Sequence, residues 1–449
     1  TGVCLSNSRH LCTQYINQLP YTLTGAQERV WTNIQQTLTD NKLVFQLIQG
    51  DVGSGKTDIA ILSLLAAVGA GYKGALLVPT EILAQQHFYK CQERCQALGV
   101  TIVLLKGKMK VSERKAAIAQ LSGPEPLIVV GTHAIIQDTI SISQLGFVVI
   151  DEQHRFGVFQ RQVLLDKSVE ASSTKETPHC LFMTATPIPR TLMLTHYGDL
   201  AHDVIHEMPP GRVPIKTYYG KTNRMQQIME FIRLEIKKGC QAYIVYPLIE
   251  ASEHLDLACA MEGYEQVCHE FSDHGVGLLH GKMKPDQKKD IMDKFKQGEV
   301  QILVSTTVIE VGVDVPNATV MVIMNAERFG LSQLHQLRGR VGRGTVQGHC
   351  FLVADAKSIE SRQRIKAMVA STNGFALAEE DLKIRGPGNL LGTQQSGDMV
   401  FSFANIMDQA VVQRVVAQCD AILSKKDAYQ ACCDFMDRAT QQMALNQLN

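Results

Sequence analysis

Short apolar segments alternate with helical-looking stretches along most of the chain. In the first half the apolar segments cover residues 43–48, 75–78, 102–105, 127–130, 147–150 and 180–183. In the second half they cover residues 242–245, 277–279, 302–304, 320–324 and 350–353. Segments this short are the size of strands. Strands that alternate with helices predict an α/β fold with mainly parallel sheets.

A break rich in proline and glycine divides this alternation into two halves. Residues 208–212 read MPPGR, which stops regular structure and predicts a linker. Each half also ends one candidate strand with nearly the same string, LLKGKMK at residues 104–110 and LLHGKMK at 278–284. This echo indicates two copies of one fold. We therefore predict one domain over residues 1–210, a second over 211–356 and a C-terminal region over 357–449.

A glycine-rich string follows the first apolar segment and precedes the helical-looking residues 58–70. It reads GDVGSGKT at residues 50–57. In a strand–loop–helix setting, such glycines let backbone N–H groups point at phosphate oxygens, and the helix dipole favours the negative charge. Lys56 would reach the β- and γ-phosphates, and Thr57 would ligate Mg²⁺. The predicted nucleotide contacts in this loop are Gly50, Gly53, Ser54, Gly55, Lys56 and Thr57.

Two carboxylates follow the apolar residues 147–150. In a domain with a phosphate loop, Asp151 would hold Mg²⁺, and Glu152 would position and deprotonate the attacking water. The alternative is a solvated acidic loop. Another strand end carries Thr184 and Thr186, whose small hydroxyl groups could connect the triphosphate site to a second site by hydrogen bonds.

Three arginines spaced by glycines occur in the second half, where residues 336–344 read QLRGRVGRG. Arginine binds phosphate with two parallel hydrogen bonds and keeps its charge. An arginine from a facing domain can accelerate phosphoryl transfer by roughly 10³–10⁵. Arg340 and Arg343 are the predicted residues, and plain surface arginines near a turn are the alternative. Nucleotide binding would then close the cleft between the halves, and hydrolysis would open it.

The order of these strings resembles the superfamily 2 helicases and translocases, which have two tandem RecA-like domains. The matching strings include LPYTLTGAQ at residues 19–27, PTE at 79–81, GTH at 131–133, DEQH at 151–154, TAT at 184–186 and STTVIEVGVDVP at 305–316. The resemblance implies that Gln27 recognises adenine, that Gly312 and Asp314 lie near the nucleotide, and that Thr184, Thr186 and Gln336 couple the sites. Implied DNA contacts are Thr80, Glu81, Gly131, Thr132, Thr306 and Thr307, with Lys282 added from the repeated Gly-Lys-Met string.

Longer strings resemble the RecG family of DNA helicases, which remodel stalled forks and branched junctions. They are DEQHRFGV at residues 151–158, TATPIPRT at 184–191 and HQLRGRVGRG at 335–344. Residues 381–397 resemble a translocation motif shared with the transcription-repair coupling translocase Mfd. This implies a C-terminal helical hairpin in which Arg385 couples hydrolysis to movement. The family also has an N-terminal wedge domain, which residues 1–18 are too few to form. The resemblance therefore covers the motor and C-terminal part alone. Because the sequence starts at Thr1 without a methionine, we expect a fragment or a processed product.

Bulk composition restricts the partners less sharply than the motifs do. Lys and Arg number 44, as do Asp and Glu, which argues against a histone-like polycation. The 12 cysteines form no repeated C-x-x-C pair, and no apolar run is long enough to span a bilayer.

We expect a monomer without membrane contact in the bacterial cytoplasm, near the nucleoid. ATP and Mg²⁺ are the expected cofactors. Branched or duplex DNA and single-stranded DNA-binding protein are the expected partners. An Mfd-type translocase, an RNA helicase and a nucleotide-gated DNA clamp are the alternatives.

Overall fold

The structure is a computed structural model that describes most of the chain up to residue 385. The described residues are 2–5, 9–107, 109–137, 140–152, 177–186, 200–208, 213–247, 253–306, 315–342, 344, 346–385, 411, 414, 415, 417–419 and 421. They divide into two compact units. One unit comprises Thr1–Pro187 with Ala201–Asp381, and the other comprises Ile188–Leu200 with Leu382–Asn449. Both sheets described below belong to the first unit.

The first half of the chain forms a parallel sheet with helices packed on it. Its strands are β1 Phe45–Gly50, β2 Lys73–Leu77, β3 Ile102–Leu105, β4 Ile128–Gly131, β5 Leu145–Ile150, β6 His179–Thr184 and β7 Ala201–Ile205. Their order across the sheet is β3-β4-β2-β5-β6-β1-β7. The helices are α1 Arg9–Gln18, α2 Gly25–Thr39, α3 Lys56–Gly69, α4 Glu81–Cys95 and α5 Val111–Ser122. Helix α3 is the most buried of these because α1, α2, β2 and β5 all pack against it.

The second half repeats this architecture. Its strands are β8 Lys216–Gly220, β9 Gln241–Tyr246, β10 Val276–Leu279, β11 Ile302–Thr306, β12 Ala318–Ile323 and β13 His349–Val353, in the order β10-β11-β9-β12-β13-β8. Its helices are α6 Met225–Lys237, α7 Glu253–Glu270, α8 Pro285–Gln297 and α9 Leu331–Arg338. Two further helices follow β13, namely α10 Ile359–Ala370 and α11 Gly374–Arg385. The residues described between 411 and 421 are also helical.

The strand orders confirm that the two halves are copies of one α/β fold. Strands β3, β4, β2, β5, β6 and β1 of the first sheet occupy the same places as β10, β11, β9, β12, β13 and β8 of the second. The repeated Gly-Lys-Met strings follow the equivalent edge strands β3 and β10. In each string the methionine sulfur accepts a hydrogen bond from a backbone N–H three residues earlier, Met109 from Lys106 and Met283 from His280. The echo in the sequence is therefore a shared turn.

The strands expected from apolar segments are all present, and most differ only in length. Two strands were missed. Strand β7 is buried only at Ile205 and no residue of β8 is buried, so both strands carry polar residues and give no apolar signal. The helix after the phosphate loop begins at Lys56, earlier than the apolar pattern indicates, because its first turn is polar.

Residues 209–212 of the predicted linker lie outside the described residues. None of the helices in the described part of the chain is long and apolar enough to cross a membrane.

Candidate functional site

The glycine-rich loop lies between the end of β1 and the start of α3, as a phosphate loop requires. Gly53 and Gly55 both have a φ of +84°, which favours glycine. At Gly55 a side chain would also collide with the amide of Gln27. The hydroxyl of Ser54 is buried and has no hydrogen-bond partner among the described residues. A buried polar atom of this kind, beside a helix N-terminus, fits a loop that binds phosphate oxygens.

The side chain of Lys56 lies over this loop instead of extending away from it. Its ammonium group donates to the backbone carbonyls of Gly50 and Asp51, and the residue is 9% exposed. The ammonium charge is among the causes that lower the pKa of Asp51 and Asp151. Lys56 is thus held at the mouth of the loop, where a nucleotide phosphate would replace the carbonyls as its partner.

Gln27 connects the start of α2 to the phosphate loop. Its side-chain oxygen accepts from the backbone N–H of Thr24, which completes a capping box. Its amide nitrogen donates to the carbonyl of Ser54 at 3.1 Å. Both ends of the amide therefore have protein partners. Adenine recognition by Gln27 stays a prediction, and bridging the helix cap and the loop is an additional role that the motif did not indicate.

The two carboxylates at the end of β5 have pKa values that move in opposite directions. Burial alone would raise the pKa of Asp151, but a hydrogen bond from His87 and the charges of His87 and Lys56 lower it. The pKa of Glu152 is raised by burial and by the neighbouring Asp151 charge, against the charges of Lys56 and Arg340. An ionised Asp151 suits a metal ligand, whereas a carboxyl group with a raised pKa suits a proton acceptor.

The residues around Asp151 and Thr57 fit Mg²⁺, which prefers carboxylate, hydroxyl and phosphate oxygens. Asp151 lies at the carboxyl end of β5, and Thr57 lies in the first turn of α3, after the phosphate loop. Bound there with a nucleotide, the ion would neutralise phosphate charge. The described residues contain no cluster of three or more His, Cys, Asp or Glu side chains that could hold a metal ion without a nucleotide.

Contacts between the two sheets bring the arginine-rich string to the phosphate loop. The amide of Gln336 on α9 donates to the hydroxyl of Thr186 at 2.6 Å. The backbone N–H of Thr186 in turn donates to the hydroxyl of Thr184 at 3.0 Å. These three predicted coupling residues are therefore joined in one chain of hydrogen bonds. Thr184 ends β6, so these hydrogen bonds link the second domain to the interior of the first sheet.

Arg340 lies in this contact region, where its charge acts on Glu152. It is 8% exposed. The backbone at Gly339 packs directly on the phosphate loop, since a Cβ atom there would lie 3.2 Å from Cβ of Val52. A side chain at position 339 would require Val52 to shift. The structure thus brings the charge of Arg340 to the predicted catalytic carboxylate. An arginine in this place could stabilise the charge that develops during phosphoryl transfer.

A second link between the domains, formed by Asp51 and His335, was not predicted. His335 Nε2 lies 2.9 Å from the carboxylate of Asp51. Arg338 donates to His335 Nδ1, so Nδ1 must be the acceptor and Nε2 must carry the hydrogen. Arg338 also donates to the carbonyls of Met368 and Ser371, which follow β13 in the chain. His335 precedes the glutamine of the arginine string, and this adjacency was the signal that could have identified it.

The predicted DNA contacts are spread over the carboxyl ends of β2, β4 and β11. Thr80 caps α4, since its hydroxyl accepts from the N–H of Leu83, and Glu81 is the first residue of that helix. Gly131 ends β4, and Thr132 is buried with its hydroxyl turned to the N–H of Ala134. Lys282 is exposed after β10. Thr306 is buried at the end of β11, and its hydroxyl has no partner in the part of the chain that the structure describes. Their contacts with DNA stay predictions.

Several predicted residues lie outside the described residues. This applies to Thr307, Gly312, Asp314 and Arg343, and to residues 153–158 and 187–191 of the longer family strings. Arg385 ends α11, and nothing is described of its side chain. The rest of the translocation-motif string, residues 386–397, is likewise outside the described residues. The roles of these residues stay predictions.

Family models match three consecutive parts of the chain. The model for DEAD/DEAH box helicases matches residues 24–195, and the model for the helicase conserved C-terminal domain matches residues 220–345. The third describes the C-terminal part of domain 3 of the ATP-dependent DNA helicase RecG and matches residues 371–441. The first two matches coincide with the two sheets and assign the chain to the class of two-domain helicase motors.

Individual relatives identify one family within this class of helicase motors. The chain is 49% identical over 403 residues to the ATP-dependent DNA helicase RecG of Synechocystis, and this alignment covers 90% of the chain and 48% of the relative. It is 47% identical over 434 residues to RecG of Streptococcus pneumoniae, covering 96% of the chain and 63% of the relative. A solved structure of RecG bound to a three-way DNA junction has 42% identity and a TM-score of 0.73, covering 87% of this chain and 50% of that one. The chain belongs to the RecG family. It spans roughly half to two thirds of the length of these relatives.

Proposed function

We propose that this chain is the motor part of an ATP-dependent DNA helicase that remodels branched DNA, such as stalled replication forks and Holliday junctions. The observation that carries this proposal is the contact between the sheets. Gln336 reaches Thr186, His335 reaches Asp51, and the charge of Arg340 acts on Glu152. A nucleotide in the loop would therefore touch both domains, so its hydrolysis could drive their relative movement.

In the proposed reaction, the loop from Gly50 to Thr57 binds the phosphates of ATP, and Gln27 recognises the base. Thr57 and Asp151 would hold Mg²⁺, which would neutralise charge on the phosphates. Glu152 orients the attacking water and accepts its proton. Arg340 and Arg343 stabilise the charge that develops on the transferred phosphoryl group, and Gly312 and Asp314 complete the nucleotide site.

The proposed DNA track runs along the strand ends of both domains. Hydroxyl groups and helix N-termini suit phosphate oxygens and read no sequence, which is what a translocase needs. The residues assigned to the track are Thr80, Glu81, Gly131, Thr132, Lys282, Thr306 and Thr307. Thr184, Thr186 and Gln336 would report the state of the nucleotide to this track, and Arg385 would report it to the C-terminal region.

Further parts of the proposal concern organisation and setting. We assign the domains to residues 1–210, 211–356 and 357–449. We place the protein as a monomer in the bacterial cytoplasm, near the nucleoid, with single-stranded DNA-binding protein as a partner. Sedimentation of the chain alone and with that protein would test the last two assignments. A stable dimer, or separate sedimentation of the two proteins, would contradict them.

Steady-state hydrolysis of ATP separates the proposed function from its alternatives. The rate is measured with a three-way DNA junction, linear duplex DNA, single-stranded DNA and RNA. We expect the largest stimulation with the junction and almost none with RNA. Lys56→Ala is the control and should abolish turnover with every nucleic acid. Best stimulation by RNA would indicate an RNA helicase. Binding of DNA without turnover would indicate a clamp. Displacement of stalled RNA polymerase would indicate an Mfd-type translocase.

A further inference from the structure

Helix α4 connects the predicted DNA track to the predicted metal ligand. It begins after Thr80, which caps it, and Glu81 is its first residue. The helix runs on to Cys95 without a break and is roughly 20 Å long at 1.5 Å per residue. Because the helix is unbroken, a displacement at its start, where DNA contact is predicted, can be passed to the residues further along it.

The second turn of α4 carries a histidine that the motifs left unassigned. His87 Nε2 lies 3.3 Å from Asp151 Oδ2, and the two side chains are 11% and 15% exposed. A carboxylate at neutral pH only accepts hydrogen bonds, so Nε2 carries the hydrogen and donates it. His87 Nδ1 is buried and has no hydrogen-bond partner among the described residues. Within the described part of the chain, the ring therefore makes one polar contact, and that contact is to Asp151.

A buried imidazole with one unsatisfied nitrogen is a poor choice for packing alone. An apolar side chain of similar volume would fill the same space without leaving a polar atom unpaired. The contact with Asp151 is the interaction that an apolar residue could not provide. This indicates that position 87 serves the carboxylate and not only the packing of α4 on the sheet.

The contact with His87 also reaches Glu152 through Asp151. The other oxygen of Asp151, Oδ1, accepts from the backbone N–H of Glu152 at 3.0 Å. Glu152 has a φ of +54°, a left-handed conformation that is unfavourable for a residue with a side chain. His87 thus fixes the orientation of the Asp151 carboxylate. Asp151 in turn holds the backbone of Glu152, the predicted proton acceptor, in this left-handed conformation.

The far part of α4 is tied to the nucleotide loop as well. Arg94 donates to Asp58 Oδ1 at 3.3 Å, and Asp58 lies in the first turn of α3, next to Thr57. Asp58 is buried and also accepts from the hydroxyl groups of Tyr15 and Tyr21. Helix α4 is therefore anchored at the end of α3 that follows the phosphate loop, while His87 reaches the carboxylate at the end of β5.

We propose that His87 is a positioning residue that couples occupancy of the DNA track at the start of α4 to the placement of Asp151 and Glu152. DNA bound at Thr80 and Glu81 shifts or stiffens α4, and His87 then holds Asp151 in the orientation that supports hydrolysis. This proposal rests on the proposed function, since it needs an ATPase that DNA stimulates. It adds a residue outside the motif strings named above to the path between the two sites.

The test compares four forms of the full chain: wild type, His87→Ala, His87→Gln and His87→Asn. A glutamine can place an N–H where Nε2 lies, whereas asparagine is too short and resembles the Nδ1 side. Gln92→Ala, an exposed position on the same helix, is the matched control. The first measurement is the ratio of the hydrolysis rates with and without duplex DNA, together with kcat and KM for ATP.

For His87→Ala we expect the stimulation ratio to fall roughly fivefold or more, through kcat and with little change in KM for ATP. His87→Gln should recover most of the ratio. His87→Asn should behave like His87→Ala, and Gln92→Ala should behave like the wild type. The affinity for duplex DNA should stay within about twofold of wild type. An unchanged ratio in His87→Ala would overturn the proposal. A loss of DNA affinity that accounts for the whole effect would also overturn it.

A second measurement does not depend on activity. The affinity of fluorescent ADP is compared in Mg²⁺ and in EDTA. His87→Ala should bind normally in EDTA but lose part of the gain that Mg²⁺ brings, because Asp151 is no longer oriented. A full Mg²⁺-dependent gain in the variant would contradict the assigned role. If the wild type shows no stimulation by DNA, the proposed function fails, and this binding measurement still decides whether His87 positions Asp151.

Discussion

At the scale of single residues, the chemistry depends on how neighbouring groups set one another's charge. Asp151 and Glu152 are adjacent in the chain, yet the pKa of the first is lowered and that of the second is raised. His87 and Lys56 favour the ionised Asp151, and its charge then disfavours a second charge on Glu152. Two carboxylates with different tasks arise from two identical functional groups because their surroundings differ.

Replacing Glu152 by glutamine should separate nucleotide binding from turnover. The amide keeps the size and some hydrogen bonds of the side chain but cannot accept a proton, so hydrolysis should fall by roughly 10²–10⁴. Equilibrium binding of fluorescent ADP should stay close to wild type. A variant that fails to bind the nucleotide would indicate that Glu152 has a structural role in the loop instead.

Arg340→Ala tests the contribution of the second domain to catalysis. The positive charge that acts on Glu152 would be lost, and kcat should drop by roughly 10³ or more, the lower end of the effect of an arginine finger. KM for ATP should change much less. Arg362→Ala, at an exposed position on α10, is the control. An equal effect of both substitutions would remove Arg340 from the catalytic group.

At the scale of elements, β2 depends on a buried lysine that the apolar pattern did not include. Lys73 begins β2 and is fully buried. Its ammonium group donates to the carbonyl of Gly123 at 2.6 Å and to the carbonyl and hydroxyl of Ser143 at 3.0 and 2.8 Å. The lysine thereby fixes the loops that lead into β4 and β5 beside β2. The carboxyl ends of these strands carry predicted site residues.

Lys73→Met should destabilise the first domain without touching the nucleotide site. Methionine fills a similar volume but removes the three hydrogen bonds that the ammonium group donates to the half-buried Gly123 and Ser143, at a cost of about 1–3 kcal/mol. Urea unfolding followed by circular dichroism measures the loss. Lys42→Met, an exposed lysine next to β1, is the matched control and should change the free energy of unfolding by less than about 0.5 kcal/mol. Equal stability of the two variants would contradict the role assigned to Lys73.

At the scale of the whole molecule, the two sheets meet through a few polar contacts around the phosphate loop. Two of them are the pairs Gln336–Thr186 and His335–Asp51, and beside them the backbone of Gly339 packs on Val52. Polar contacts of this kind can break and reform, unlike an apolar core. They suit an interface that opens and closes with the state of the nucleotide.

A double-mutant cycle on Gln336→Ala and Thr186→Val should detect this interface. Residues in direct contact show coupling energies of about 0.5–3 kcal/mol. The measured quantity is the nucleotide concentration that half-closes the domains, followed by energy transfer between dyes attached to each domain. We expect each single variant to need more nucleotide and the double variant to need little more than either. Additive effects of the two substitutions would mean that the pair does not couple across the cleft.

The sequence by itself determined the fold class, the duplication and the positions of the motifs. Apolar strand segments such as 147–150 are buried on both faces of a parallel sheet, so their composition already encodes their place. The phosphate loop could also be predicted, because the backbone conformation of the loop requires its glycines and phosphate binding requires its lysine. The polar edge strands β7 and β8 could not, since exposed strands carry no apolar pattern.

Only the tertiary structure decided which residues meet. His87 and Asp151 are far apart in the sequence, as are His335 and Asp51, and neither pair has a spacing that a motif could reveal. Their contacts exist because parallel strands bring their carboxyl ends to one edge of a sheet and because the second sheet packs against the phosphate loop of the first. Local sequence fixes the elements, whereas the pairing of distant side chains depends on how these elements pack.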